Sequence, residues 1–456
     1  MSPRVAVARQ LASYGAASVA MSLPWPLLLV LAWDQYGDGP HGPLVIGLVG
    51  AARMVPYVLL SWAVGSLGDR IRRERLLAAT LVLRLVFLGL VAVAVSADQL
   101  ALAVIAAALA IACGTPAYPT VAAAMPRLAG PAKRRATEVL VTIEVAAWVV
   151  GPALGGLLLL PVTRPYIPLI AVVLTVLAGA LAWRVPLPGP VTDRRTREAV
   201  TSMFRTVRDT PVVLVALAAA GLINIATSMT AVVLLPLTQK VWEQGDGGFG
   251  LATALFGFGA LGAPLLWWVR GSEGTRRQWG LAILGLAVAW VALSPVPAAA
   301  LPILGLAGAV AVLVECAITE TIQVGVADEH RAGVLGLADA VMVSCAMVGS
   351  FTAPLLAAAL GARLTLLLVG VACLVAVVSG VLRGRRVSEW VQILIRAEVG
   401  SYIGRSDTST GYRSPAMSTS QVPAFSQSGV TGSPRPETMA RPTAPPSVQP
   451  YDAART

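Results

Sequence analysis

The sequence predicts an all-α integral membrane protein with twelve transmembrane helices in two pseudo-symmetric six-helix halves. Composition, the length of the apolar runs and the placement of the basic residues predict it. Of 456 residues, 56% are hydrophobic and only 12% charged, and the mean hydropathy is +0.76. Soluble domains carry roughly 25% charged residues, so a soluble enzyme is excluded. A β-barrel is excluded too, because its strands are short and alternating.

A helix needs about 20 apolar residues to cross ~30 Å of hydrocarbon. Twelve runs qualify, at about 10–33, 43–68, 75–96, 99–125, 137–160, 165–184, 211–239, 247–269, 278–295, 300–326, 332–360 and 362–382. Twelve crossings put both termini on one side. On that side fall 29 of the 34 Lys and Arg residues, against Arg164, Lys240 and Arg363 on the other and Arg53 and Arg84 within the spans. Basic loops stay in the cytoplasm, so the expectation is a multi-pass protein of the cytoplasmic (inner) membrane with both termini cytoplasmic. The net charge of +11 is then a matter of topology, and no nucleic-acid partner is expected.

The predicted organisation is an N-terminal half at 1–184, a cytoplasmic linker at 185–210 and a C-terminal half at 211–383. The halves echo each other: Pro152 and Pro354 stand 202 residues apart, each in the second-last helix of its half. Internal repetition of this kind marks secondary transporters. Residues 384–399 follow, where Val387, Trp390, Val391 and Leu394 recur at helical spacing beside Arg383, Arg385, Arg386 and Arg396. That pattern predicts an interfacial helix. The remaining 400–456 are rich in Ser, Thr, Pro and Gly, and predict a disordered tail without a catalytic role. The N-terminus enters the first span with no small-residue cleavage site, so no cleaved signal peptide is expected.

Between spans 2 and 3 the chain reads Gly65, Ser66, Leu67, Gly68, Asp69, Arg70, Ile71, Arg72, Arg73, Glu74, Arg75. With the twelve spans and the basic central loop, this resembles the major facilitator superfamily, whose loop 2–3 pattern is Gly, x, Leu, x, Asp, Arg, x, x, Arg, Arg. Gly65, Leu67, Asp69 and Arg70 match, and the basic pair Arg72 and Arg73 falls one residue early. The resemblance implies a conformational latch between the halves made of Gly65, Asp69, Arg70, Arg72 and Arg73, with Asp339 near the same interface. The equivalent loop of the second half, near Arg270, Arg276 and Arg277, lacks the acid.

In span 5, Ala147, Gly151 and Gly155 form a stripe of small residues that permits close helix contact. Gly151, Pro152, Gly155 and Gly156 resemble the glycine–proline motif of exporters in this superfamily, where it is associated with the interface between halves. Tyr118–Pro119, Met125–Pro126 and the run from His330 to Gly336 look like the drug- and siderophore-exporter-like branch. The resemblance covers about residues 8–383. Span 4 has no internal arginine, unlike many proton-coupled drug antiporters of the superfamily, a departure that counts against proton antiport.

Charges at membrane depth are costly and mark functional candidates. Arg53, Arg84, Glu138, Glu144, Glu315, Glu320 and Asp339 are the candidates. Arg84 and Glu144 share a depth that permits an ion pair. Glu315 and Glu320 lie about 140° apart around their helix, so only one can face a given cavity. Spans 1, 4, 7 and 10 line the central cavity of the family, which favours Glu315 as the proton or cationic-substrate group; pairing with Arg53 or Arg84 is the alternative. Tyr14, Ser18 and Ser22 on span 1 and Asn224, Thr227 and Ser228 on span 7 suit a cavity lining. Trp25, Trp62, Trp148 and Trp242 are too scattered to define a pocket, and Glu138 suits a helix start.

The chain has no phosphate-binding loop, and its four cysteines and two histidines lack metal spacing. No catalytic residue, metal or cofactor is expected. The expected function is secondary active transport of a small organic compound across the bilayer, in the exporting direction, with protons a candidate coupling ion. The alternatives are a non-transporting sensor or scaffold and an uptake permease.

Overall fold

In hydrocarbon each backbone N–H and C=O must be satisfied within the chain, and helix achieves this locally. The computed structural model describes residues 2–60, 72–160, 162–185, 187, 210–266, 272–326 and 328–380, and among them it contains helices and turns but no strand. The first half comprises α1 (Pro3–Ser22), α2 (Trp25–Tyr36), α3 (Gly42–Ala52), α4 (Arg73–Ser96), α5 (Leu100–Gly114), α6 (Ala117–Ala129), α7 (Lys133–Leu157) and α8 (Ile167–Ala182). The second comprises α9 (Pro211–Pro236), α10 (Gly245–Ala260), α11 (Glu273–Leu293), α12 (Pro297–Gly325), α13 (Asp328–Leu360) and α14 (Ala362–Gly380).

Two expected spans are broken helices. Pro24 separates α1 from α2, and Pro116 separates α5 from α6; proline withholds an N–H and clashes with the preceding turn. Nine stretches among the described residues are long and apolar enough to cross a membrane, and Gly42–Ala52 is a shorter apolar helix. The α1–α2 stretch has 72% of its apolar window buried, whereas α4 has 33% and turns Val82, Val86 and Val93 outward. An outward apolar face is what lipid requires of a peripheral helix.

The described residues belong to one compact unit, Met1–Glu389. Within it α1 packs on α7 and α8, and correspondingly α9 packs on α13. The principal contacts between the two helix sets among the described residues are α3 with α13 and α7 with α10.

Those contacts depend on glycine. A Cβ on Gly250 would stand 2.1 Å from the Gly156 carbonyl oxygen, one on Gly156 2.6 Å from that of Gly250, and one on Gly47 2.5 Å from that of Phe351. Backbones meet here because no side chain separates them. All three contacts lie toward the arginine-poor end, where α7 and α13 finish and α3 and α10 begin. At the arginine-rich end Arg9 of α1 closes α8, donating to the Leu181, Ala180 and Trp183 carbonyls at 3.1, 3.0 and 3.0 Å. A cation on terminal carbonyls complements the helix dipole.

Candidate functional site

A cavity of about 450 Å³ lies between the two helix sets. From the first half α2 contributes Trp25, the stretch after α3 contributes Arg53 and Tyr57, and α7 contributes Glu144 and Trp148. From the second come Asn224 of α9, Phe249, Thr253 and Phe256 of α10, Glu315 of α12 and Asp339 of α13.

The polar groups of the first half form a connected network. The Arg53 guanidinium stands 4.6 Å from the Trp148 ring centroid, and its Nη2 donates to the Trp148 carbonyl at 3.5 Å. The Trp148 indole Nε1 donates in turn to Glu144 Oε1 at 3.2 Å, one helical turn away. Glu144 also accepts from the Tyr14 hydroxyl. Tyr57 packs on Trp148 with ring centroids 5.0 Å apart, and Tyr14 on Tyr118 at 6.1 Å. Desolvated cation–π contacts contribute up to about 2 kcal/mol, so this network holds Arg53 and Glu144 in place without bringing them together.

Beside it is a chamber of about 20 Å³, room for a single water molecule. Tyr14, Ser18, Ser22, Arg84, Tyr118 and Glu144 line it. Arg84 is 2% exposed and donates through Nη2 to the Gly114 carbonyl at 2.9 Å, at the α5–α6 break.

The second half is different in character. Glu315 and Asp339 both line the cavity, and neither has a hydrogen-bond or ion-pair partner among the described residues. Nearby, Asn224 donates to the Ala220 carbonyl at 3.0 Å.

The arginine-poor end is closed by charge as well as by glycine. Arg164, in the turn before α8, donates to Asp34 of α2 and at 2.5 Å to Asp246 of α10. Gln239 adds a bond to Asp246 at 2.7 Å. Lys240 lies 3.4 Å from Asp38 and 5.1 Å from the Trp33 ring centroid.

The family model described as Major Facilitator Superfamily matches residues 11–341. The chain belongs to the major facilitator superfamily. Solved structures agree on the fold. A bacterial homolog of the human lysosomal transporter Spinster, inward-facing and unoccupied, is 12% identical with a TM-score of 0.62, covering 83% of this chain and 95% of that one. The human organic anion transporter MFSD10 is 16% identical with a TM-score of 0.60, covering 83% and 99%. The POT family transporter PepTSo is 11% identical with a TM-score of 0.63, covering 85% and 98%. No curated protein matches in sequence.

In this facilitator Glu144, Glu315, Arg53 and Asn224 reach the cavity, as does Asp339, which the sequence reading assigned to the latch region. The α13 helix begins at Asp328, a turn earlier than expected, which sets Asp339 deeper along it. Arg84 and Glu144 do not form the ion pair that their depth permits, because Arg84 is turned to Gly114 and Glu144 to Tyr14 and Trp148. Glu320 turns away from the cavity and pairs with Arg276 at 2.5 Å. Tyr14, Ser18 and Ser22 line the small chamber rather than the large cavity. The expectation that tryptophans define no pocket is corrected: Trp25 and Trp148 both wall the cavity. The α5–α6 pair serves the chamber, while helices of spans 2, 5, 8 and 11 contribute to the cavity wall.

Gly151 and Gly155 of the glycine–proline motif press on α1 rather than on the other half: a Cβ would meet Ser22 Cβ at 2.4 Å and the Leu23 carbonyl oxygen at 2.2 Å, respectively. Gly156 alone of the three touches the other half, and Pro152 lines the cavity. Of the expected latch, Gly65, Asp69 and Arg70 lie outside the described residues, as does the Glu138 side chain. Arg72 lies 3.4 Å from Glu74, and Arg73 donates to the Ala123 carbonyl of α6 at 3.2 Å.

Sequence reasoning missed the Arg164 cluster. A signal was present, since Arg164 and Lys240 are two of the three basic residues at that end and Asp34, Asp38 and Asp246 border the same loops.

Proposed function

We propose that this facilitator is a secondary active transporter that exports a small organic compound across the cytoplasmic membrane by alternating access. One observation carries the reading: a 450 Å³ cavity lies between two helix sets whose closest backbone approaches gather at one end. A site between halves that rock about it is how such transporters work. The arginine-rich end is cytoplasmic by the positive-inside rule, which makes the conformation described here closed to the outside.

Export rests on the resemblance of Gly151, Pro152, Gly155 and Gly156 and of the span 4 and span 10–11 motifs to the drug- and siderophore-exporter-like branch. Energy comes from an ion gradient, and Glu144, Glu315 and Asp339 are the carboxyls in the cavity able to carry a coupling proton. Asp69, Arg70, Arg72 and Arg73 act as a latch on the cytoplasmic side, working against the Arg164 cluster outside.

Cells producing the protein are expected to accumulate less of some amphipathic compound than control cells, with the difference abolished by a protonophore. Equal accumulation across a broad panel, with the protein confirmed in the membrane, contradicts export.

A further inference from the structure

The two walls of the cavity differ in how their charges are compensated. On the first half, Arg53 is held over Trp148, and Glu144 accepts two hydrogen bonds with Arg84 across the adjoining chamber. On the second half, Glu315 and Asp339 face the cavity with no partner among the described residues. A carboxylate at membrane depth is costly, so two on one wall of the cavity, neither paired with a cation among the described residues, call for one from outside the chain.

The rest of the wall indicates what kind. The volume falls in the range of ligand pockets, roughly 300–1,000 Å³, far more than a bare proton requires. Tyr57, Phe249 and Phe256 offer aromatic surface, on which an organic cation is held through the ring quadrupole. Trp25, 3% exposed, adds a further aromatic face to the same wall.

We infer that the cavity binds a lipophilic organic cation, its charge between Glu315 and Asp339 and its apolar body against Trp25, Phe249 and Phe256. The inference rests on the transporter reading above and names the substrate class of that same site.

The test uses the full chain in lipid nanodiscs with two probes of the same shape and opposite charge, tetraphenylphosphonium and tetraphenylborate. Saturable binding of tetraphenylphosphonium and none of tetraphenylborate is expected. Glu315→Gln and Asp339→Asn should each weaken that binding by about tenfold, a loss of about 1.4 kcal/mol. Glu320→Gln, whose carboxylate pairs with Arg276 outside the cavity, should leave it unchanged.

Preference for tetraphenylborate, absence of tetraphenylphosphonium binding, or equal affinity in the Glu315 and Asp339 variants overturns the inference. Distances between spin labels on the two halves are measured on the same samples. Two distance populations without cation binding overturn the cation inference alone, and the transporter reading stands. Cation binding lost in the Glu315 and Asp339 variants but with one invariant distance supports the cation site and overturns the transporter reading.

Discussion

Arg164 Nη1 lies 2.5 Å from Asp246 Oδ2, joining the loop before α8 in one half to the start of α10 in the other, while its Nη2 donates to Asp34. Both side chains of the cross-half pair are about a quarter exposed. Such a pair contributes up to about 1 kcal/mol, enough to hold two conformers in unequal proportion without locking either.

Arg164→Gln is therefore expected to move the population toward the outward-open form by about fivefold, the equivalent of ~1 kcal/mol. Labelling of a cysteine in the cavity wall from the outside should quicken by a similar factor. An unchanged rate removes the pair from the gate.

The Gly156–Gly250 approach leaves no space for a side chain, since a Cβ on Gly250 falls 2.1 Å from a backbone oxygen. Gly250→Val should force α7 and α10 apart at a cost of about 1–3 kcal/mol. The protein should still insert, and the outer end should become reachable by impermeant reagents. Normal transport with normal closure would show that the helices part elsewhere.

Tyr14 and Trp148 are the two donors that hold Glu144. Tyr14→Phe removes one bond to a carboxylate, worth about 1.5–3 kcal/mol when its partner stays charged. A lower melting temperature and impaired transport are expected, with insertion intact. Trp148→Phe should do the same while keeping a ring beneath Arg53, and Trp148→Leu, which removes both functions, should be worse than either.

Asp69→Asn should leave orientation unchanged, because acids contribute little to the positive-inside bias, and, if the latch proposed above operates, should slow transport. Loss of insertion instead would make the motif a purely structural element.

The helices were legible because period and length act locally: α12 and α13 lie within a few residues of the runs at 300–326 and 332–360. Spacing around a helix separates Glu315 from Glu320, but that Glu315 and Asn224 are the ones at the cavity was suggested by the family resemblance of spans 7 and 10 and not by spacing. Depth without azimuth misled for Arg84 and Glu144, which share a level and a chamber but turn to other partners. Trp148 was illegible for a related reason. Its value lies in Arg53 on one side and Glu144 on the other, and Arg53 is 95 residues away in the chain. The Arg164–Asp246 contact needs two halves to meet, which no local pattern encodes.

The account stands on halves that rock about the cavity. Ala97, beyond the end of α4, and Ala298, at the start of α12, are both exposed and sit at the arginine-poor end of opposite halves. Double electron–electron resonance between labels at these positions, in nanodiscs with and without tetraphenylphosphonium, measures the motion directly. Two distance populations whose ratio shifts with the ligand and, in Arg164→Gln, toward the longer distance are predicted. A single distance, unmoved by ligand or by Arg164→Gln, would contradict alternating access in this protein.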